Sequence, residues 1–287
     1  MKQKLLNLSE CEKIERSLIT TYKKQIWSKF TKAVKEYKLI EENDHICVCI
    51  SGGKDSMCMA KLFQQLHKYS DFPFKVSYLV MNPGYNQENF DKIKENLEKL
   101  NIDATIFETD IFEVADSTEK NPCYLCARMR RGHLYSNAKN LGCNKIALGH
   151  HYDDVIETTL MNILNAGSFG TMLPKLHSDN FEGMELIRPM YLIRENDIVS
   201  WCKTNNLDFI RCACKLTAKV QNKELESQRY NTKQLIKNLQ ETYNENVEKN
   251  IFKAAENVNL NMILGYKKDG VRHSFLDEYE NNKKTSK

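Results

Sequence analysis

Short apolar runs alternate with amphipathic stretches through the middle of this chain, and that alternation restricts the possible fold more than any other feature. A short apolar run bounded by polar residues is typical of a buried strand, and strands that alternate with helices form parallel βαβ units. We therefore predict an α/β fold, with an open, mostly parallel sheet of about five strands and helices on both faces. The predicted strands are His45–Ser51, Phe74–Asn82, Ala104–Asp110, Lys145–His150 and Glu185–Arg188.

Helices are predicted between these strands and at both ends of the chain. Residues 1–40 are predicted to form an N-terminal helical extension, 41–215 the main domain, and 216–287 a C-terminal helical extension and tail. The last segment is rich in Lys, Glu, Asn and Gln and carries apolar residues at helical spacing. The other predicted helices are Lys13–Tyr37 as one or two helices, Ser56–Tyr69, Gln87–Leu100, Tyr124–Leu141, Asp154–Leu164 and Glu195–Asn205.

Composition restricts the location and the class of partner. The 287 residues carry a net charge of +4, which permits a nucleic-acid partner without arguing for one. No stretch approaches the roughly 20 apolar residues that a membrane span requires, and the N-terminus is charged rather than signal-like. We therefore expect a cytoplasmic protein with no membrane contact. The cytosol keeps thiols reduced, so the ten cysteines are expected to be buried thiols, catalytic groups or metal ligands rather than disulfides.

The strongest motif follows the first predicted strand and opens the first helix of the main domain. A glycine pair at such a junction lets consecutive N–H groups point into one concavity, and the helix N-terminus adds positive potential. Lysine there neutralises phosphate charge, and the aspartate either holds Mg²⁺ or caps the helix. The Walker A pattern GxxxxGK[ST] is absent. We predict a pyrophosphate-binding loop, with a simple glycine turn as the alternative; its residues are Ser51, Gly52, Gly53, Lys54, Asp55 and Ser56.

A second motif, LGHHYDD at residues 148–154, follows the fourth predicted strand. Ligands of an open α/β sheet bind outside the carboxyl ends of its strands, so both motifs are expected to face one crevice. His150 is predicted to contact phosphate or transfer a proton. Asp153 or Asp154 is predicted to hold Mg²⁺ or to orient a substrate base. The alternative for each residue singly is a helix cap or a solvated side chain.

Two pairs of cysteines indicate a soft-metal site. Cys123 and Cys126 begin a predicted helix, whose N-terminus favours the thiolate, and Cys212 and Cys214 follow downstream. A CxxC pair alone also suits a redox dithiol or half of a zinc site. Three of these thiolates suit a [4Fe–4S] cluster with one open iron, whereas all four suit a closed zinc site. The remaining cysteines are predicted to pack as small hydrophobes: Cys11, Cys47, Cys49, Cys58, Cys143 and Cys202.

These motifs, followed by FGTMLPKL and by Ile187-Arg188-Pro189, resemble in order and spacing the TtcA-type tRNA 2-thiocytidine synthetases. That family is a branch of the PP-loop ATP pyrophosphatases, and the resemblance spans about residues 22–214. It implies ATP and Mg²⁺ at the glycine loop, and a [4Fe–4S] cluster on Cys123, Cys126 and Cys212. Cys214 is the alternative third ligand, because CAC stands where the family has a second CxxC. The candidate catalytic residues are Asp55, His150, Asp154 and Arg188.

The predicted reaction is adenylation of the C2 carbonyl of a loop cytidine, cytidine-32 by the resemblance, followed by replacement of oxygen with sulfur. The resemblance also implies a tRNA partner, a sulfur donor such as a cysteine desulfurase, and a homodimer. A thiolase acting on another base or a small molecule, a lysidine-type ligase with structural zinc, and a non-catalytic zinc module stay open. The candidate tRNA contacts are Arg128, Arg130, Arg131 and Lys175, and a solvated helix face is the alternative for the arginines.

Overall fold

The computed structural model describes residues 8–117, 122–210, 228–277 and 279, with only the backbone of Asp116, Pro122 and Cys123. Cys212 and Cys214 therefore lie outside the described residues. None of the helices in the described part of the chain has the length and apolarity required to cross a membrane.

A six-stranded sheet organises the chain in the order β3-β2-β1-β4-β6-β5, and every neighbouring pair except β5–β6 is parallel. The predicted fold class and all five predicted strands are thereby confirmed. The sixth strand was not predicted, because its residues, Lys-Leu-His, do not form an apolar run. It is defined by antiparallel pairing of Lys175 with Ile187. The strands are β1 His45–Ile50, β2 Lys75–Asn82, β3 Ala104–Glu108, β4 Lys145–Ala147, β5 Lys175–His177 and β6 Glu185–Ile187.

Helices connect these strands, and each predicted helix is present among the described residues. A short helix after β3, α5, was not predicted. A π-helical turn, Lys23–Trp27, joins the first two helices. The helices are α1 Glu10–Ile19, α2 Ser28–Glu36, α3 Lys54–Tyr69, α4 Gln87–Lys99, α5 Ile111–Asp116, α6 Pro122–Asn140, α7 Tyr152–Ala166, α8 Glu195–Thr204, α9 Gln228–Thr242 and α10 Val247–Glu256.

The main hydrophobic core lies between the sheet and the N-terminal helices. Leu18 and Phe30 from α1 and α2 are fully buried in one cluster with Val48 of β1 and Trp201 of α8. The Trp201 indole N–H donates a hydrogen bond to Ser17 Oγ over 3.0 Å, so this ring has a polar partner as well. The N-terminal helices thus pack on the sheet. Five of the six cysteines predicted to pack as hydrophobes are buried, namely Cys47, Cys49, Cys58, Cys143 and Cys202, whereas Cys11 is half-buried.

The C-terminal segment packs on α7 through a smaller cluster that joins Val155 and Ile156 to Ile236 of α9 and Phe252 of α10. Helices were predicted here, and α9 and α10 confirm that prediction. Residues 265–274 instead form a two-stranded antiparallel hairpin of β7 Gly265–Lys268 and β8 Val271–Ser274. Asp269 and Gly270 both have positive φ, at 50° and 79°. Asp-Gly in that conformation is a strong hairpin turn, and it ends helical structure there.

Candidate active site

A cavity of about 730 Å³ opens at the carboxyl ends of β1 and β4. The loop after β1 and the turn after β4 both line it, so the two predicted motifs do face one crevice. Helix α6, which carries the CxxC pair, and helix α9 from the C-terminal segment form other walls. The lining from the two motifs comprises Ser51, Lys54, Asp55, Ser56, Gly149, His150, His151 and Asp154.

The glycine loop closes on itself through Ser56. Its hydroxyl donates to Gly53 O over 2.9 Å and accepts from the backbone N–H of Ser51 over 3.1 Å. Gly52 has φ +85°, and a Cβ there would lie 2.6 Å from Ile93 Cγ1 and 2.8 Å from Ile210 Cδ1. No side chain fits at that position without displacing its neighbours. The hydrogen bonds of Ser56 and the close packing at Gly52 therefore hold the loop in this shape.

Paired charges surround the start of α3. Lys54 Nζ lies 3.0 Å from Asp55 Oδ2 and 3.0 Å from Glu195 Oε1. Burial alone would lower the pKa of Lys54, but the two carboxylates together raise it. The other carboxylate oxygen, Asp55 Oδ1, is buried and has no hydrogen-bond partner among the described residues, with His151 Nε2 3.9 Å away. A buried carboxylate oxygen without a donor suits a bound cation.

Helix α9 supplies two further cations to the cavity. The Arg229 guanidinium lies 3.0 Å from both Asp154 Oδ1 and Glu157 Oε2, and Lys233 forms an ion pair with Glu195. Burial would raise the pKa of Glu195, but Lys233 and Lys54 hold it near 2. None of Glu157, Glu195, Arg229 or Lys233 was predicted. Arg229 and Asp154 are 75 residues apart in the sequence, and no local motif indicates that they form an ion pair.

His150 faces the cavity as a neutral side chain at neutral pH. Burial lowers the pKa of His150 to about 4, and nearby Arg188 and Arg229 act in the same direction against the opposing charge of Asp154. A neutral imidazole donates one hydrogen bond and accepts one, but it carries no charge to offset phosphate. His150 was predicted to contact phosphate or to transfer a proton. If it contacts phosphate, the contact would therefore be a hydrogen bond rather than an ion pair.

This pKa predicts an acid-sensitive contribution to stability. The folded-state value of about 4 lies below the ordinary value of 6.5, so between these pH values the unfolded chain binds the proton more strongly. Stability should therefore fall by about 1 to 3 kcal/mol as pH drops from roughly 6.5 to roughly 4. Urea unfolding of the wild type and of His150→Asn at several pH values measures this difference. Equal pH slopes for the two proteins would show that His150 is not the group responsible.

The two aspartates of the second motif have different surroundings. Asp153 accepts hydrogen bonds from the Glu195 backbone N–H over 2.7 Å and from the Arg194 guanidinium over 3.0 Å. It therefore anchors α8, which favours the structural alternative over a role in holding Mg²⁺. Asp154 Oδ2 accepts from the His151 backbone N–H over 2.9 Å, and Oδ1 pairs with Arg229. Asp154 thus caps α7 and also lines the cavity.

Replacing Arg194 by methionine should destabilise the fold by about 3 kcal/mol. The guanidinium also pairs with Glu248 at 2.7 Å, and the Asp153 and Glu248 side chains are only 13% and 14% exposed, so the substitution leaves two poorly solvated carboxylates unpaired. Urea unfolding monitored by circular dichroism gives the change in free energy. The matched control is Lys32→Met, which removes an exposed i,i+4 pair worth about 0.5 kcal/mol or less. A similar effect of both substitutions would contradict the prediction.

The remaining predicted site residues are divided between the cavity and its surroundings. Arg130 and Arg131 line the cavity, whereas Arg128 does not. Arg188 follows β6, donates to Leu173 O, and has its pKa lowered to about 10, mainly by burial. The charge of Arg188 helps to lower the pKa of His150, but Arg188 does not line the cavity. Lys175 Nζ lies 3.2 Å from both Glu185 Oε2 and Lys38 O, so its charge is already paired.

The cysteine ligand set is described only in part. Cys123 and Cys126 lie in the first turn and a half of α6, and Ala127 and Arg130 on the same helix line the cavity. Ile210, two residues before Cys212 in the sequence, contacts the glycine loop. No group of three metal-ligating side chains forms within the residues that the structure describes. The assignment of Cys123, Cys126, Cys212 and Cys214 therefore stays a prediction.

Comparisons with known proteins agree with this architecture. Residues 22–250 match the PP-loop domain family. The chain is 35% identical over 256 residues to a tRNA-cytidine(32) 2-sulfurtransferase of Aliivibrio fischeri, covering 88% of this chain and 80% of that protein. The protein of that name from Geotalea uraniireducens is 34% identical, with 88% and 96% covered.

Among solved structures, the U34-tRNA thiolase NcsA from Methanococcus maripaludis with its [4Fe–4S] cluster superposes with a TM-score of 0.61. That match has 20% identity over 81% of this chain and 79% of that one, and it shows that the two proteins share a fold. The sequence relatives are more specific, because they extend over most of both chains at about one third identity. The chain therefore belongs to the family of the tRNA-cytidine(32) 2-sulfurtransferases, within the PP-loop proteins.

Proposed function

We propose that this protein is an ATP-dependent sulfurtransferase that converts cytidine-32 of a tRNA to 2-thiocytidine. The observation that carries this proposal is the convergence of the glycine loop, the GHHYDD turn and the CxxC helix on one cavity. The loop suits ATP, and thiolates suit a soft metal that handles sulfur. The family names of the sequence relatives favour this function over a lysidine-type ligase and over a non-catalytic zinc module.

The first half of the reaction is assigned to the glycine loop. The C2 carbonyl oxygen of cytosine attacks the α-phosphorus of ATP, the bond to the bridging oxygen breaks, and pyrophosphate leaves with its electron pair. Backbone N–H groups at Gly52 and Gly53 bind the phosphate oxygens. Lys54 and Lys233, which share Glu195 as an ion partner, are assigned to the charge that develops on the pyrophosphate. When ATP binds, its phosphates would replace Glu195 as the partner of these lysines.

Magnesium fits this loop. Asp55 Oδ1 is a buried carboxylate oxygen without a donor among the described residues, and it lines the cavity that would hold the phosphates. Hard oxygen ligands combined with substrate phosphates are the usual environment of Mg²⁺. Asp55 is therefore the residue that we assign to Mg²⁺, which when bound would offset phosphate charge.

A [4Fe–4S] cluster fits the chemistry of the cysteine set. Cys123 and Cys126 stand near the N-terminus of α6, where thiolate is favoured, and a third thiolate is assigned to Cys212 with Cys214 as alternative. The contact of Ile210 with Gly52 supports a return of the chain to this cavity. The cluster, when bound, supplies sulfide sulfur to C2. As the carbon–sulfur bond forms, the bond between C2 and its oxygen breaks, and that oxygen leaves as part of AMP.

The partners follow from the substrate and from the sulfur that the reaction consumes. A cytosine must leave the stacked loop to enter the cavity, so the substrate site is in a single-stranded tRNA loop. Arg130 and Arg131 are assigned to phosphates at the cavity mouth, and His150 and Asp154 to orientation of the cytidine and its leaving oxygen. Arg188, outside the lining of the cavity, is assigned an indirect role through its charge near His150. We assign sulfur delivery to a donor such as a cysteine desulfurase. The reaction is placed in the cytoplasm, and the working enzyme is proposed to be a homodimer.

The experiment is an assay of the anaerobically purified protein with unmodified tRNA, ATP, Mg²⁺, sulfide and free lysine. Mass spectrometry of the nucleosides should detect 2-thiocytidine, and tRNA with uridine at position 32 is the control. Iron and acid-labile sulfide analysis of the same sample reports the cluster. Pyrophosphate release without 2-thiocytidine, or lysine attached to cytidine instead, would overturn the proposal.

A further inference from the structure

A second groove adjoins the active-site cavity along helix α6. Its volume is about 460 Å³, within the range of small-ligand sites, and Ala127 and Arg131 line both spaces. We call it the α6 groove. Its walls include Tyr124, Arg128 and Arg131 on the helix, and Ser178, Asn180 and Phe181 on the turn that joins β5 to β6.

One face of α6 presents an aromatic ring and two cations to this groove. Tyr124, Arg128 and Arg131 follow one another at i, i+4 and i+7, so they lie on a single helix face. Tyr124 is 70% exposed, which is unusual for an aromatic side chain that lines a concave surface. Its ring is therefore accessible to a stacking partner.

Ring stacking and backbone hydrogen bonds hold the opposite wall. The Phe181 ring stacks on Tyr135 of α6 with centroids 5.0 Å apart and an interplanar angle of 10°. The backbone N–H of Phe181 donates to Ser178 Oγ over 3.2 Å, and its carbonyl accepts from Met184 over 3.1 Å. Asn180 thus sits on a turn that is fixed at both sides. The groove is a formed surface rather than a gap beside a loose loop.

The groove also differs from the cavity in charge. Lys54, Lys233 and Arg229 in the cavity each pair with a carboxylate. Of the described residues that line the α6 groove, none is an aspartate or a glutamate, whereas two are arginines. A basic groove with an accessible aromatic ring is the chemistry that binds single-stranded nucleic acid.

We propose that the α6 groove binds the nucleotide next to the target cytidine, with its base stacked on Tyr124 and its phosphate against Arg128 and Arg131. This proposal rests on the proposed function. Extruding one loop nucleotide unstacks its neighbour, which then needs a new stacking surface. Because Arg131 lines both spaces, one phosphodiester link would join the base in the cavity to the base in the groove.

The first test compares Tyr124→Ala, Tyr124→Phe and Arg128→Ala with the wild type. Loss of the ring or of the arginine should raise KM for tRNA about tenfold, more than it lowers kcat, and leave KM for ATP near its original value. Tyr124→Phe, which keeps the ring, should restore most of the tRNA affinity. Tyr124 lies between Cys123 and Cys126, so the iron and sulfide content of each variant must equal that of the wild type. Unchanged KM for tRNA in fully loaded Tyr124→Ala and Arg128→Ala would overturn the proposal.

The second test measures RNA binding in the absence of catalysis. Fluorescence anisotropy of a labelled seven-nucleotide RNA with the sequence of the anticodon loop reports binding to the holoenzyme without ATP. Arg128→Ala should weaken binding and reduce its salt dependence by about one ion, whereas Lys32→Ala should not. Dissociation of a dimer by Tyr124→Ala with unchanged RNA binding would show instead that the groove is a subunit interface. If the wild type produced no 2-thiocytidine, the proposed function would be wrong. The anisotropy measurement would still show whether the α6 groove binds RNA.

Discussion

Cys126→Ser should abolish tRNA thiolation, with turnover lowered at least about 100-fold, while ATP binding remains close to that of the wild type. The serine oxygen replaces a soft thiolate with a poor ligand for iron, but it changes the volume little. The glycine loop after β1 is a separate element, with hydrogen bonds of its own between Ser51 and Ser56. Iron content, acid-labile sulfide and nucleoside mass spectrometry measure the loss, and fluorescent ATP titration measures what is retained.

The matched control is Cys11→Ser. Cys11 Sγ, in α1, donates to Leu100 O over 3.2 Å, and a serine hydroxyl can make the same contact. This control should keep both iron and thiolation. Full activity of Cys126→Ser, or equal losses in both variants, would contradict a ligand role for Cys126 and revive the lysidine-type reaction, which needs no clustered cysteines.

Asp55→Asn should lower turnover on the order of 100-fold or more and raise the Mg²⁺ concentration needed for half-maximal activity. The amide keeps the shape of the side chain but loses the charge that we assign to the cation. Lys54 keeps Glu195 as an ion partner at 3.0 Å, so the loop should stay folded. Pyrophosphate release measured against Mg²⁺ concentration tests the first half of the reaction apart from sulfur transfer.

A thermal melt separates this role from a structural one. Asp55→Asn removes the half-exposed ion pair with Lys54, but it also neutralises the buried Oδ1, which has no hydrogen-bond partner among the described residues. These effects oppose each other, so the melting temperature should change little. Asp91→Asn on the exposed face of α4 is the control and should leave turnover unaltered. A large drop in melting temperature, with an unchanged Mg²⁺ requirement, would assign Asp55 to stability instead.

Local patterns were sufficient for most of the fold. The run HICVCI predicts a strand because it is apolar and short, and the observed β1 is buried along nearly its whole length. Strand β5 shows where this reasoning stops, since Lys175, Leu176 and His177 become a strand only by pairing with β6. The hairpin at Gly265–Ser274 is different. Its Asp-Gly turn is a local hairpin signal, and the prediction of a helical C-terminal segment did not include it.

The candidate site divides in the same way. Positions 51–56 and 149–154 were predicted to share a crevice because the carboxyl ends of parallel strands meet at one edge, and they do. Glu195, Arg229 and Lys233 were not predicted, since each reaches the cavity from a helix that packs there through apolar residues far from any motif. The separate roles of Asp153 and Asp154 were also open, because adjacent residues on a helix point in different directions.

The sequence by itself determined the type of most elements and the edge of the sheet that carries the glycine loop and the GHHYDD turn, and it predicted the combination of a phosphate loop with a CxxC helix. These follow from periodicity, glycine conformation and ligand chemistry, which act over a few residues. Tertiary structure alone decided which carboxylate each cation meets and which helices enclose the cavity. Coulombic contacts depend on distances in space, and the packing of α9 on α7 brings together charges 75 residues apart.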